Sequence, residues 1–210
     1  MTDSPIDYPL QISIDYPDRP LNKLTSFFRA FTIIPIAIIL GLLSSTNFQW
    51  PAIEGWNWDY VYSGIVVLPL VLMILFRKKY PRWWFDWNVA MTKFGMRVMA
   101  YFSLMDDVYP STDEEQSVHI DISYPNVTAE LSRGMPLVKW FLAIPHYVVL
   151  CFLMIAAVVC IIVAWFAILF TGRYPRSLFE FVLGVFRWTL RVDGYALLLV
   201  TDKYPPFSLD

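Results

Sequence analysis

The chain has 210 residues, 57% of them apolar, 18% aromatic and only 16% charged, with a net charge of −2. It is too apolar and too poor in charge for an average soluble domain, which makes a membrane protein the first reading. The balance is near neutral, though its distribution along the chain is far from even, and nucleic acid is not expected as a partner.

Residues 1–26 carry Asp3, Asp7, Asp15, Asp18 and several prolines, with no basic segment leading into an apolar core. A cleavable leader is therefore not expected, and the N-terminus is read as mature and never exported. Residues 11–17 alternate apolar and polar and stop at Pro17, the pattern of a short strand. An apolar run around Pro35 follows, then a loop at 44–60 with Trp50, Trp56 and Trp58, rings suited to a far membrane interface. A second apolar run, 61–76, ends in Leu75-Phe76-Arg77-Lys78-Lys79-Tyr80-Pro81-Arg82. This is read as a membrane-exit signal. Cations end the run, Tyr80 is expected at headgroup level, and Pro81 breaks the helix.

The same order then repeats. His119 to Pro125 matches the first strand, Phe141-Leu142-Ala143-Ile144-Pro145 matches Phe31-Thr32-Ile33-Ile34-Pro35 at an offset of 110, and Leu169 to Arg176 returns the exit signal at an offset of 94. Two tandem copies are expected, residues 1–110 and 118–210, joined by an acidic linker at 111–117. All 16 Lys and Arg fall outside 30–76 and 140–172. If each apolar block is a hairpin, every cation lies on one side, as the positive-inside rule expects for the cytoplasm. The expected fold is mainly α-helical and membrane-integral, with four spans at about 27–43, 61–76, 137–153 and 156–171. Pro35 and Pro145 are expected to kink or break their spans.

After each exit comes an amphipathic helix, at 82–102 and 176–196. Trp84, Trp87, Met91, Phe94, Val98 and Tyr101 form one apolar stripe, and Leu178, Phe181, Val185, Trp188, Val192 and Tyr195 form the other. Both helices are expected to lie in the cytoplasmic interface, held by lipid on their aromatic faces. Each copy closes on a predicted strand ending in Asp-x-Tyr-Pro, at 104–110 and 197–205, and the four strands are expected to pair into one small sheet.

The segments Ala164 to Arg176, Arg187-Trp188-Thr189-Leu190-Arg191-Val192 and Thr201-Asp202-Lys203-Tyr204-Pro205-Pro206-Phe207 resemble the bacterial membrane family called domain of unknown function 4389. The first copy departs from that pattern, with Arg77-Lys78-Lys79 in place of Thr-Gly-Arg. The resemblance implies a bacterial integral membrane protein of unassigned activity, and it brings no catalytic residues.

Arg77, Lys78, Lys79, Arg82, Lys93, Arg97, Arg173, Arg176, Arg187 and Arg191 are candidate ligands for anionic lipid headgroups. The alternative is that they only enforce topology and pair with Asp86 and Glu180. His146 is the one ionisable group expected within a span, to be explained either as a functional site or as a hydrogen bond to a neighbouring helix. Cys151 and Cys160 read as small buried hydrophobes. No catalytic set, phosphate loop or metal cluster has usable spacing, so neither enzymatic activity nor a cofactor is expected. The expected role is an inner-membrane scaffold or accessory subunit, with a membrane-protein partner or homo-oligomer. A lipid-binding protein of the inner leaflet is the alternative, and a small oligomeric transporter comes third.

Overall fold

The computed structural model describes residues 8–44, 62–114 and 116–210. In chain order it has β1 (Leu10–Ile14), α1 (Lys23–Phe27), α2 (Arg29–Thr32), α3 (Ile34–Ser44), α4 (Tyr62–Arg77) and α5 (Arg82–Phe102), then β2 (Val118–Ile122), α6 (Val127–Glu130), α7 (Met135–Leu142), α8 (Ile144–Thr171) and α9 (Arg176–Ala196). The fold is mostly helical, with one small antiparallel sheet made by β1 and β2.

The sheet joins the two halves of the chain. Ile12 faces Ile120 at its centre, Leu10 faces Ile122 and Ile14 faces Val118. Strict alternation puts these six side chains on a buried face, while Gln11, Ser13, His119 and Asp121 lie on the opposite one. The buried face rests on α9. Gly194 permits the approach, since a Cβ there would stand 2.3 Å from a methyl of Leu10. Farther along, Arg187 Nε donates to the Ile12 carbonyl at 3.3 Å.

Beneath this layer α9 runs back antiparallel along α8. Gly172, at φ 74°, ends α8, and only Arg173, Tyr174 and Pro175 separate it from α9. At the far end Ala143 and Leu150 cluster with Trp188, Val192, Tyr195 and Ala196. The order from one surface inward is therefore sheet, then α9, then α8. In the N-terminal half α5 packs on β2 and α3, with Ile36 against Phe94 and Val98.

Among the described residues one helix, α8, is long and apolar enough to cross a membrane; Arg29–Gly41 and Val67–Arg77 are shorter apolar stretches. The expected spans at 137–153 and 156–171 are corrected by this 28-residue helix, which is continuous where their turn was placed. From His146 to Phe170 there is no Gly, Pro, Asn, Asp or Ser to make a turn. The break comes instead at Ala143, just ahead of Pro145, and likewise at Ile33 ahead of Pro35. A proline cannot supply the N–H that would continue the preceding helix. Four spans are thus not seen among the described residues, and most of the 44–60 loop lies outside them.

Two further expectations are corrected. Residues 104–110 and 197–205 are not strands. Each segment has a left-handed residue at or near its start, Leu104 at φ 63° and Leu199 at φ 54°, and wraps the end of the preceding helix. Their carbonyls serve buried cations, as described below. The stripes on α5 and α9 are not free faces for lipid either. Val185, Trp188, Val192 and Tyr195 are all buried by protein, as are Phe94, Val98 and Tyr101, while Trp87 remains exposed. A stripe of that size must be covered, and here α8 and α3 cover most of it.

Candidate functional site

The two exits are built alike. Lys78 ends α4 in the left-handed region at φ 47°, and Gly172 ends α8 there at φ 74°. Tyr80 and Tyr174 follow, buried to 2% and 1% exposure, and Pro81 and Pro175 then start α5 and α9. The tyrosines are thus covered by protein rather than open to solvent or lipid. Tyr80 donates to the Leu198 carbonyl at 3.0 Å, and burial pushes its hydroxyl up to about 12. Each exit is clamped by the strand of the other half. Tyr16 donates to the Tyr174 carbonyl at 2.5 Å and Tyr124 to the Tyr80 carbonyl at 2.6 Å. Tyr16 also packs edge-on to Phe179 at 5.1 Å, and Tyr124 to Phe85 at 5.0 Å.

The ten candidate cations divide into three groups. Arg97 and Arg191 are buried, donating to the Ser111 carbonyl at 2.9 Å and the Ser208 carbonyl at 2.5 Å, and Arg187 donates to β1. These three bond backbone carbonyls, and Arg97 also lines the cavity beside Lys93. Lys93 faces the polar side of the sheet, lining a cavity of about 300 Å³ with His119 and Asp121. The remaining cations gather at the exits.

At the second exit Arg173 is exposed, and Arg176 pairs with Glu180 at 3.1 Å while lying over Tyr16. At the first, Arg77 and Lys79 are exposed, and Arg82 pairs with Asp86 at 3.4 Å while lying 4.7 Å over Tyr124. Lys78, Lys79 and Arg82 line one side of an open cavity of about 550 Å³, and Tyr124, Asn126 and Thr128 line the other.

His146 takes the hydrogen-bonded alternative. It is fully buried, its Nδ1 accepting from Trp188 Nε1 at 3.0 Å, with Phe207 stacked on its ring at 4.0 Å. An accepting Nδ1 puts the proton of the neutral ring on Nε2.

The sequence reading missed the role of Arg29 and Lys139. Arg29 lies 3.8 Å over Tyr101 and donates to the Asp106 carbonyl at 2.9 Å. Lys139 lies 5.1 Å over Tyr195, donates to the Thr201 carbonyl at 2.6 Å and pairs with Asp202 at 2.8 Å. The signal was present as a cation two residues before Phe31 and before Phe141, matched by the two Asp-x-Tyr-Pro endings. Among the described residues no group of three His, Cys, Asp or Glu converges as a metal site.

Residues 135–208, from α7 almost to the C-terminus, match the family model described as Domain of unknown function (DUF4389). No curated protein and no solved structure matches the chain significantly.

Proposed function

We propose, taking residues 135–208 as a domain of the DUF4389 family, that the chain is a non-enzymatic scaffold or accessory subunit seated in one face of a bacterial inner membrane. The observation that carries this reading is the way α8 is held. Residues before and after it touch each other and both of its ends. Lys23 donates to the Phe170 carbonyl at one end, Trp140 to the Ala196 carbonyl at the other, and Tyr8 to the Lys203 carbonyl across the body. A helix of 28 residues is about 42 Å long at ~1.5 Å per residue, and α9 runs back along it, carrying Arg187, Asp193 and the sheet. Crossing a membrane upright would carry Arg187, Asp193 and the sheet into hydrocarbon, which is costly even with Arg187 bonded to the Ile12 carbonyl.

Lying flat resolves the conflict. One stripe of α8, with His146, Leu150, Ala157, Ala164 and Ile168, is buried. The opposite side, including Phe152, Ile155, Val159, Ile162 and Phe166, is exposed and apolar, as a helix bathed in acyl chains on one side requires. The polar sheet face then looks into the cytoplasm and is the natural platform for a partner.

We read the chain as two copies of one unit. α3 aligns with residues 144–154 at an offset of 110, and α4 with 156–171 at an offset of 94. The difference, 110 − 94 = 16 residues, is an insertion in the first copy where α8 runs on unbroken. The Arg29 and Lys139 contacts, the paired left-handed residues and the crossed tyrosine clamps support the same reading. Copurification after gentle solubilisation tests the role. A stoichiometric membrane-protein partner is expected, whereas retained phospholipid without any partner would favour the second reading, an inner-leaflet lipid-binding protein.

A further inference from the structure

The two exits differ at one position in a way that their shared geometry does not require. Both apolar helices end on a left-handed residue, and in the second that residue is Gly172. Glycine is the ordinary occupant, because a Cβ disfavours positive φ. The first exit holds Lys78 there at φ 47°. A side chain kept in an unfavourable conformation, where its counterpart dispenses with one, points to a use for that side chain.

Its surroundings indicate the use. Lys78 lines the cavity beside the first exit with Lys79 and Arg82, and none of the residues lining that cavity is acidic. Lys78 Nζ reaches the Thr128 carbonyl only at 3.4 Å, a long contact that leaves most of its hydrogen-bonding capacity free. Arg82 is held over the Tyr124 ring, and Tyr124 is fixed by its bond to the Tyr80 carbonyl. One wall is thus cationic and the other is a rigid turn of Tyr124 to Thr128. The cavity sits where α4, which is apolar, gives way to the polar body.

We infer that this cavity is a binding site for a phosphate-bearing anion, held by Lys78, Lys79 and Arg82. Its position at the rim of the apolar layer fits a lipid phosphodiester, and a free phosphate offers the same chemistry. The inference rests on the membrane seating proposed above, but a titration in detergent reads the site without a bilayer, so the two fail separately. Each cation lost near such a site weakens binding about fivefold.

The test uses the full chain in neutral detergent, titrated with short-chain phosphatidylglycerol and, separately, with inorganic phosphate, and followed by native mass spectrometry. Lys78→Gly places at the first exit what the second already has, so the variant is expected to fold at least as well as the parent. We expect saturable binding of one phosphatidylglycerol, about fivefold weaker in K78G, about 25-fold weaker in K78G with Lys79→Ala, and unchanged in Arg173→Ala at the other exit. If inorganic phosphate binds with the same dependence on Lys78, the ligand is a free phosphate; if only phosphatidylglycerol does, it is a lipid. Equal binding by the parent and the double variant, equal loss in Arg173→Ala, or no saturable binding of either ligand would overturn the site.

Discussion

The Tyr16 hydroxyl donates to the Tyr174 carbonyl at 2.5 Å, tying the end of β1 to the start of α9. The mirror contact, Tyr124 to the Tyr80 carbonyl, ties the end of β2 to the start of α5. These bonds cross between the halves, so each half secures the other's turn. Tyr16→Phe and Tyr124→Phe should each cost about 1 kcal/mol, the usual net value of such a bond. The double variant should lose about the sum, because the two clamps share no residue. Denaturation in detergent measures this, and a double loss no larger than either single loss would show that the clamps do not act separately.

His146 and Trp188 occupy the positions that Ile36 and Phe94 occupy in the N-terminal half. His146→Ile alone leaves the Trp188 indole N–H buried without an acceptor, which should cost about 1–3 kcal/mol. Adding Trp188→Phe removes the orphaned donor and recreates an apolar pair the chain already packs. The double variant is expected to recover most of that loss in thermal stability. Destabilisations that simply add would show that the hydrogen bond is not what holds this junction.

Asp193 lies near the C-terminal end of α9, where burial pushes its carboxyl up to about 6. The backbone carbonyls there add a negative end that a carboxylate opposes. With a folded value above the unfolded value of roughly 3.9, the folded state holds its proton more firmly between the two. This group therefore adds stability as pH falls from about 6 toward 4, and removes it as pH rises through 6. Asp193→Asn should raise stability at pH 7 by up to about 2 kcal/mol, allowing for partial solvent screening, and the gain should vanish below about pH 4. A gain that persists at pH 4 would contradict the assignment.

The sequence revealed the elements that local pattern determines. The helices beginning at Arg82 and Arg176 announce themselves by steps of three and four in their apolar residues and by Tyr-Pro ahead of each. β1 and β2 follow from alternation alone. Residues 104–110 and 197–205 misled because their Asp-x-Tyr-Pro endings wrap a helix end, and only Arg29 for the first and Lys139 for the second, each more than 60 residues from the carbonyl it bonds, explain the shape. The continuity of α8 was missed because its apolar run was divided into a hairpin to keep every cation on one side of the membrane, an argument from charge that no turn residue within the run supports. The burial of Arg97 and Arg191 was hidden for a related reason: a cation on an amphipathic helix reads as exposed until the loop that covers it is known.

Whether α8 lies in one leaflet or crosses the bilayer is decided by its depth. Nitroxide labels placed one at a time at Val148, Phe152, Ile155, Val159, Ile162, Phe166 and Phe170, all on its exposed side, can be ranked by accessibility to oxygen and to a polar relaxation agent. A helix lying along the polar body keeps all seven at one shallow depth, with Val148 and Phe170 no nearer to water than Val159. A depth profile that is shallow at both ends and deepest at Val159 would mean that α8 crosses the membrane, and would contradict the account.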